Sequence, residues 1–299
     1  MPYDPDSSPF NLKNASAYAR WRDEKLAAHP KKLDEIVVHV ADPHTLTPAE
    51  RQAVLERVAR CNMALFASSP PDGEGGEVLL DLAAGLGLRE INRHAGSDGH
   101  GLSPLTPRPG MPGRFIPYRA QPIKWHTDGY YNPMERQVRS LLLYCVRNAG
   151  SGGENRLLDH EIAYIRLRDR NPAHVAALMG SNVMTIPPHV DNQGRDVRPA
   201  RSGPVFSLTG DGHLHMRYTA RTISILWADD PAVALAVEAL QAVLANEDEP
   251  FAFRGTLQPG WGLVCRNVLH TREAFKDPEA ALTKRLLYRL RCHDRLPDA

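Results

Sequence analysis

This chain predicts a mainly β fold with helices: a β-sandwich or jelly roll decorated by N-terminal and inserted helices. Three observations carry the prediction. Short apolar or β-branched runs recur through the second half, separated by turn residues. The 25 prolines in 299 residues exceed the usual level of about 5%, and proline breaks helices and central strands. Helical patterns fall at the start of the chain and in a few later insertions.

The elements follow in order. Residues 1–34 read as an irregular or partly helical arm. Ile36 to Val40 is β-branched, alternates in part, and predicts a strand. Thr47-Pro48-Ala49-Glu50 is a capping box with proline at the first helical position, opening a helix to about Cys61. Met63 to Ala67 is a short strand. Ser68 to Gly76 is a Pro/Gly turn, and a second helix runs from about Glu77 to Ala84, stopped by Gly85 and Gly87. Residues 92–122 form a long loop rich in Gly, Pro and charge. Strands are expected at Ser140–Val146, Arg156–Leu158, Val183–Ile186, Val205–Leu208, His213–Arg217, Thr222–Trp227, Phe251–Phe253, Gly262–Asn267 and Arg285–His293. Helices interrupt them at about Asp159–Asp169, Pro172–Met179 and Pro231–Asn246.

Composition excludes several classes. A net charge of +1 gives no general attraction to nucleic acid or an anionic membrane. No run of 18 apolar residues is present to span a bilayer. The first 30 residues are polar and lack an apolar signal core. Four cysteines at 61, 145, 265 and 292 are too sparse for a disulfide scaffold or a zinc ribbon, and read as free thiols of a cytoplasmic protein. Length alone suggests about two domains, but a single β domain with helical additions also accommodates it.

The sharpest local feature is Lys124-Trp125-His126-Thr127-Asp128-Gly129. On extended chain, residues i and i+2 point the same way, so His126 and Asp128 can bind one metal ion, given a third ligand from elsewhere. His270, in Arg266-Asn267-Val268-Leu269-His270-Thr271-Arg272, is the candidate third ligand. Two histidines and one carboxylate on one face leave open positions, as in non-haem Fe(II) oxygenases. The H-x-D triplet alone is weak; its flanks give it weight.

Those flanks are WHTDGYY at 125–131, LLLYCVRNAGSGGENRLLD at 141–159, LQPGWGLVCRNVLHTREAF at 257–275 and KRLLYRLR at 284–291. Taken in order, with about 140 residues between H-x-D and the last histidine, they resemble the TauD/TfdA-like dioxygenases (the taurine, 2,4-D and γ-butyrobetaine dioxygenase superfamily). The resemblance implies a double-stranded β-helix and an Fe(II)- and 2-oxoglutarate-dependent oxygenase. It implies one domain over 1–299, with a strand/helix region at 1–90 packed on a core at 120–295. It makes His126, Asp128 and His270 the iron ligands and Arg285, fifteen residues beyond His270, the anchor of the distal carboxylate of 2-oxoglutarate. Arg is suited to that task because its fork binds carboxylate bidentately. Arg289, four residues on, is a substitute anchor or a substrate contact. Asn155 stands where relatives carry Thr in a G-G-x-T turn, and would hydrogen-bond the oxoacid. Arg266 has no assigned role.

The implied reaction consumes O2, converts 2-oxoglutarate to succinate and CO2, and hydroxylates an unactivated C–H bond of a small polar metabolite. Asp128 disfavours halogenation, because related halogenases carry a small residue there. The substrate side is expected at Tyr130, Tyr131, Arg217, Tyr218 and Arg221, with Arg114 and Arg119 from the preceding loop. Trp125 and the two tyrosines fit a quaternary ammonium; the arginines fit an anion. His213 and His215 form a second i,i+2 pair, read as strand histidines. Two rival functions use the same ligands: a zinc-dependent hydrolase, and a metal-binding β-roll without oxygenase activity. The hydrolase would need a general base, and no H-E-x-x-H motif is present. No nucleic-acid or membrane partner is expected, and a homo-oligomer is compatible with the sequence.

Overall fold

The computed structural model describes residues 4–73, 75–94, 96–107, 116–190, 193, 195–222, 225–278 and 284–299. In chain order the elements are α1 (Ala15–Ala28), β1 (Val37–His39), α2 (Pro48–Cys61), β2 (Met63–Ala67), α3 (Val78–Gly85), β3 (Ser103–Leu105), β4 (Ile123–His126), β5 (Ser140–Arg147), β6 (Ser151–Gly152) and β7 (Asn155–Leu158). Then come α4 (His160–Arg170), α5 (Pro172–Leu178), β8 (Met184–Ile186), β9 (His189–Val190), β10 (Asp196–Arg198), β11 (Arg201–Gly203), β12 (Phe206–Leu208), β13 (Leu214–Met216) and β14 (Leu226–Trp227). The chain closes with α6 (Pro231–Ala245), β15 (Ala252–Gly255), β16 (Trp261–Cys265), β17 (Leu269–Arg272), β18 (Phe275–Lys276) and β19 (Leu286–Cys292).

Three helices open on proline behind a capping side chain: α2 on Pro48 behind Thr47, α5 on Pro172 behind Asn171, α6 on Pro231 behind Asp230. Proline costs nothing there, because the first-turn N–H it lacks has no intrahelical partner. Part of the proline excess therefore starts helices instead of preventing them. The Thr47–Glu50 capping box is fully formed, and α2 stops on Asn62 in the left-handed conformation (φ 59°).

The predicted strand from Ile36 begins as a 3-10 turn over Leu33–Ile36 and becomes strand only at Val37. The loop expected at 92–122 contains β3, a strand hidden by its proline. Pro104 is tolerated because β3 is the edge of its sheet, where one missing N–H leaves no neighbour unpaired. Strands β9, β10 and β11 were not foreseen, and the strand expected over Thr222–Trp227 contracts to Leu226–Trp227, with residues 223 and 224 outside the described residues.

Contacts divide the chain into two compact units. The first comprises residues 1–29, 125–137 and 158–251. It holds α1, α4, α5, α6 and the short sheets β11-β8-β14, β12-β13 and β10-β9. Its aromatic centre places Tyr164 edge-on to Phe10 and Phe206, both at 5.5 Å. Here the arm is anchored by charge. Lys25 of α1 is buried and binds Asp159 at 2.7 Å and Glu161 at 2.5 Å. Burial alone would lower the Lys25 pKa; the two carboxylates reverse this and raise it. Burial alone would raise that of Asp159; Lys25, His160 and His29 override this and hold it well below the usual carboxylate range. Asp159 also caps α4 by accepting from Glu161 N–H.

The second unit comprises residues 30–124, 138–157 and 252–299. Its main sheet has six strands in the order β1-β2-β16-β5-β19-β3, antiparallel except for β1 on β2. Alternation gives each face its own core. Leu142, Tyr144 and Leu290 pack under α2 and α3. Leu141, Cys145 and Leu287 face the other way, against Leu157, Phe253 and Val268. These last come from the four-stranded sheet β15-β7-β17-β4 and its approaches. Gly262 must be glycine: a Cβ would strike the Leu143 carbonyl and the Phe66 ring. All four cysteines are buried and free. No helix among the described residues is long and apolar enough to cross a membrane.

Removing one partner of a buried pair leaves an uncompensated charge, at a cost of about 3–5 kcal/mol. Lys25→Ala should therefore lower the unfolding free energy in urea by about that much, whereas Arg22→Ala, at an exposed pair, should cost under about 1 kcal/mol. Because the Asp159 pKa is depressed by folding, its contribution is present above pH ~4 and is lost as pH falls further. Wild-type stability should show that acid loss, and Lys25→Ala should show less of it.

Candidate metal centre

The H-x-D segment is held extended by its neighbours. Thr127 N–H donates to Tyr218 O (3.0 Å), Ala220 N–H to Trp125 O (2.8 Å), and Tyr218 N–H to Thr127 Oγ1 (3.1 Å). Extended chain puts His126 and Asp128 on one side, with Nε2 and Oδ1 3.9 Å apart. The buried Trp125 donates its indole N–H to Leu244 O at 2.8 Å. Gly129, at φ 67°, ends the extended stretch, and Asn132 N–H closes the turn on its carbonyl.

His270 sits in β17. Its Nδ1 lies 3.0 Å from Val268 O. A carbonyl only accepts, so Nδ1 carries the proton and Nε2 is the unprotonated ring nitrogen. The approach to β17 is fixed by Asn267, which takes the left-handed conformation (φ 50°) and donates from Nδ2 to Val138 O. Arg266 acquires a role: its guanidinium holds the C-terminal segment through Leu296 O, Pro297 O and Asp298. One donor atom from each of His126, Asp128 and His270 lies within 4.8 Å of the other two, and all three residues are buried. This is the one such group among the described residues; His213 and His215 form no second one.

Alternation continues around this site. His270 and Arg272 share one face of β17, and Leu287 and Arg289 share one face of β19. Leu287 packs in the same core cluster as Val268, which immediately precedes β17. Arg285 is buried, with its guanidinium carbon 5.0 Å from the centre of the Phe275 ring. Among the described residues that guanidinium makes no hydrogen bond; Asp277 binds its backbone N–H instead. Burial lowers its pKa, with smaller opposing effects of Cys145 and Asp277. Gly153 (φ 79°) leaves space beside it: a Cβ there would lie 3.9 Å from Arg285 Nε. Arg289 is buried opposite Ser103 in the β19–β3 ladder. Asn155 lines an apolar cavity with His270, among Leu65, Leu143, Leu157 and Leu263. One Asn155 amide hydrogen is committed to Thr271 O at 2.7 Å.

The substrate-side residues separate. Tyr130 is half-buried, with its phenol pKa raised by burial, and it bonds to Thr219 and Arg221. Tyr131 meets it edge-on at 5.3 Å. Tyr218 is buried within the strand contact, and burial pushes its pKa up to about 12. Arg217 spends three of its five N–H donors on carbonyls, Tyr130 O (2.7 Å), Met184 O (3.0 Å) and Arg201 O (2.8 Å). It stitches three segments together, a structural task that sequence reading did not assign to it. Arg114 lies outside the described residues. Sequence reasoning missed Arg272, two positions after His270 on the same face; the H-x-R pattern was its only signal.

A sequence profile of the family described as "Taurine catabolism dioxygenase TauD, TfdA family" matches residues 23–291. A uridine-5'-phosphate dioxygenase from Amycolatopsis sp is 32% identical over 166 residues, covering 52% of this chain and 56% of that protein. Its counterpart from Streptomyces sp is 32% identical over 161 residues, covering 51% and 56%. The match thus spans little more than half the length of these relatives. Among solved structures, asparagine oxygenase in complex with Fe(II), 2S,3S-3-hydroxyasparagine and succinate superposes with a TM-score of 0.58 at 19% identity, over 82% of this chain and 79% of that one. The non-heme iron oxygenase OrfP with Fe and alpha-ketoglutaric acid gives 0.59 at 19%, over 83% of each chain. These likenesses establish a shared fold.

Arg217→Met should leave three carbonyls short of a donor, at about 1–3 kcal/mol each where burial is complete. Thermal unfolding should show a loss of at least about 2 kcal/mol. A near-neutral substitution that instead weakens substrate binding alone would return Arg217 to the pocket.

Proposed function

Because this chain belongs to the TauD/TfdA dioxygenase family, we propose that it is an Fe(II)- and 2-oxoglutarate-dependent dioxygenase that hydroxylates a C–H bond of a small polar metabolite. One observation carries the reading: two buried imidazoles and one buried carboxylate present donor atoms within 4.8 Å of one another. That donor set suits Fe(II) and leaves coordination positions open. The reading includes a single oxygenase domain on a double-stranded β-helix, acting in the cytoplasm.

His126, Asp128 and His270 would hold the iron. Val268 O keeps His270 in the tautomer that offers Nε2. Arg285 would bind the distal carboxylate of 2-oxoglutarate. It is a buried cation whose fork has no hydrogen-bond partner among the described residues, and bidentate pairing with a carboxylate suits its planar geometry. Arg289 and Asn155 would line the same inward face. With iron, 2-oxoglutarate and O2 bound, the site supplies oxidative decarboxylation to succinate and CO2 coupled to C–H oxidation. The protein's share is orientation and exclusion of water, through ligands that are all buried.

Uridine 5'-phosphate is the first substrate to try, because the curated relatives carry its name. Tyr130, Tyr131, Tyr218 and Arg221 are the substrate-side candidates. A zinc hydrolase on the same ligands would leave the buried Arg285 without a role, and a non-catalytic β-roll would have no use for the complete ligand set.

Anaerobic addition of Fe(II) and 2-oxoglutarate should give a weak visible charge-transfer band that His126→Ala lacks, and admission of air should release succinate. No band and no succinate would sink the reading. Arg285→Ala should keep metal binding but raise the KM for 2-oxoglutarate about 10- to 100-fold, as expected for a charged hydrogen bond of about 1.5–3 kcal/mol. A succinate screen across uridine 5'-phosphate, amino acids, betaines, sulfonates and phosphonates then identifies the substrate.

A further inference from the structure

Arg272 shares the inward face of β17 with His270, yet it is spent in a different way from Arg285. Its Nη1 donates to Pro117 O at 3.3 Å, and its Nη2 to Arg119 O at 2.5 Å and Gln121 O at 2.6 Å. Three residues on, Phe275 N–H donates to Ala120 O at 3.0 Å. Four carbonyls of residues 117–121 are thus captured by residues 272–275. The Arg272 guanidinium carbon sits 4.8 Å from the centre of the Phe275 ring, and the side chain is buried. Burial, and then Arg285, push its pKa down to about 9, so it is still charged at neutral pH.

The captured segment leads directly into β4. Gln121 precedes Ile123, the first residue of β4, and His126 is the last. On the other side, Arg272 follows His270 by two residues and ends β17. β4 and β17 are adjacent strands of one sheet. A four-residue strand specifies its own register weakly, and a slip of one residue turns every side chain to the opposite face.

We propose that Arg272 is a positioning residue: its clasp on the 117–121 carbonyls fixes the start of β4 and thereby the face on which His126 presents its imidazole. Lysine is no substitute, because a point charge lacks the planar fork that spans several carbonyls. The inference rests on the metal-site reading above.

The test is Co(II) binding, followed by its visible d–d spectrum under argon, on full-length wild type, Arg272→Lys, Arg272→Ala, Arg22→Ala and His126→Ala. Wild type and Arg22→Ala, at an exposed pair, should bind alike and His126→Ala should not bind. Arg272→Lys and Arg272→Ala should bind about 10- to 100-fold more weakly, the usual loss when a group that orients a ligand is removed. Their spectra should be altered, and low millimolar guanidinium should restore part of the affinity of Arg272→Ala. A loss of packing alone would lower the melting temperature without changing the Co(II) spectrum or responding to guanidinium. Wild-type affinity in Arg272→Lys overturns the proposal, as does failure of both Arg272 variants to fold by circular dichroism, which would make the clasp a support of the whole unit. If wild type itself does not bind Co(II), the metal reading fails first.

Discussion

Strand β17 carries His270 and Arg272 on one face, directly after the core residue Val268, and the proposed site depends on that placement. Val268 packs with Leu287 and Leu157, His270 is the proposed metal ligand, and Arg272 clasps the segment before β4. One strand thus joins the apolar interior, a proposed ligand and the segment that leads to His126. His270 and Arg272 are coupled because side-chain period in a strand is two. All four residues of β17 are buried. Hydrophobic burial of Val268 and Leu269, the largest kind of favourable term in folding, therefore carries into the interior a histidine and a cation that would not go there by themselves.

The proposed site is legible in the sequence where it is local. His126 and Asp128 are two residues apart on extended chain, and nothing distant is needed to put them side by side. His270 came with its own local aid, a carbonyl two residues upstream. Helix starts were legible for the same reason: Thr47, Asn171 and Asp230 cap the turns that follow them. Illegible were features made by residues far apart in the chain. β3 pairs with β19 across more than 180 residues, and its central proline argues locally against any strand. β9, β10 and β11 are two or three residues long, too short to show a period.

The charged anchor at Lys25 obeys the same division. In the sequence, Lys25 is one polar residue on a helix with no marked apolar face. Only the fold brings it to Asp159 and Glu161 at the start of α4. The cost of burying the ammonium is offset because two carboxylates receive it, and Asp159 at the same time caps a helix. A buried ion pair that also satisfies backbone N–H groups escapes much of the desolvation penalty that makes isolated pairs poor stabilisers. The N-terminal arm thereby becomes part of its unit instead of a loose extension.

Four arginines show why residue type alone does not identify a ligand site. Arg217, Arg266, Arg272 and Arg285 are all buried, and in the sequence each is a cation among apolar neighbours. Hydrogen bonding separates them. Arg217 gives its fork to three carbonyls, Arg266 ties down the C-terminal segment, and Arg272 clasps residues 117–121. In each case the protein itself supplies the acceptors that make a buried guanidinium tolerable. Arg285 has a phenylalanine ring on one side, space beside Gly153 on another, and no acceptor for its fork among the described residues. Burying a cation without acceptors is expensive, so Arg285 is the arginine on which the proposed carboxylate contact rests. A carboxylate is the group whose two oxygens match that fork, which is why the case for an oxoacid co-substrate rests more firmly on Arg285 than on its distance in sequence from His270.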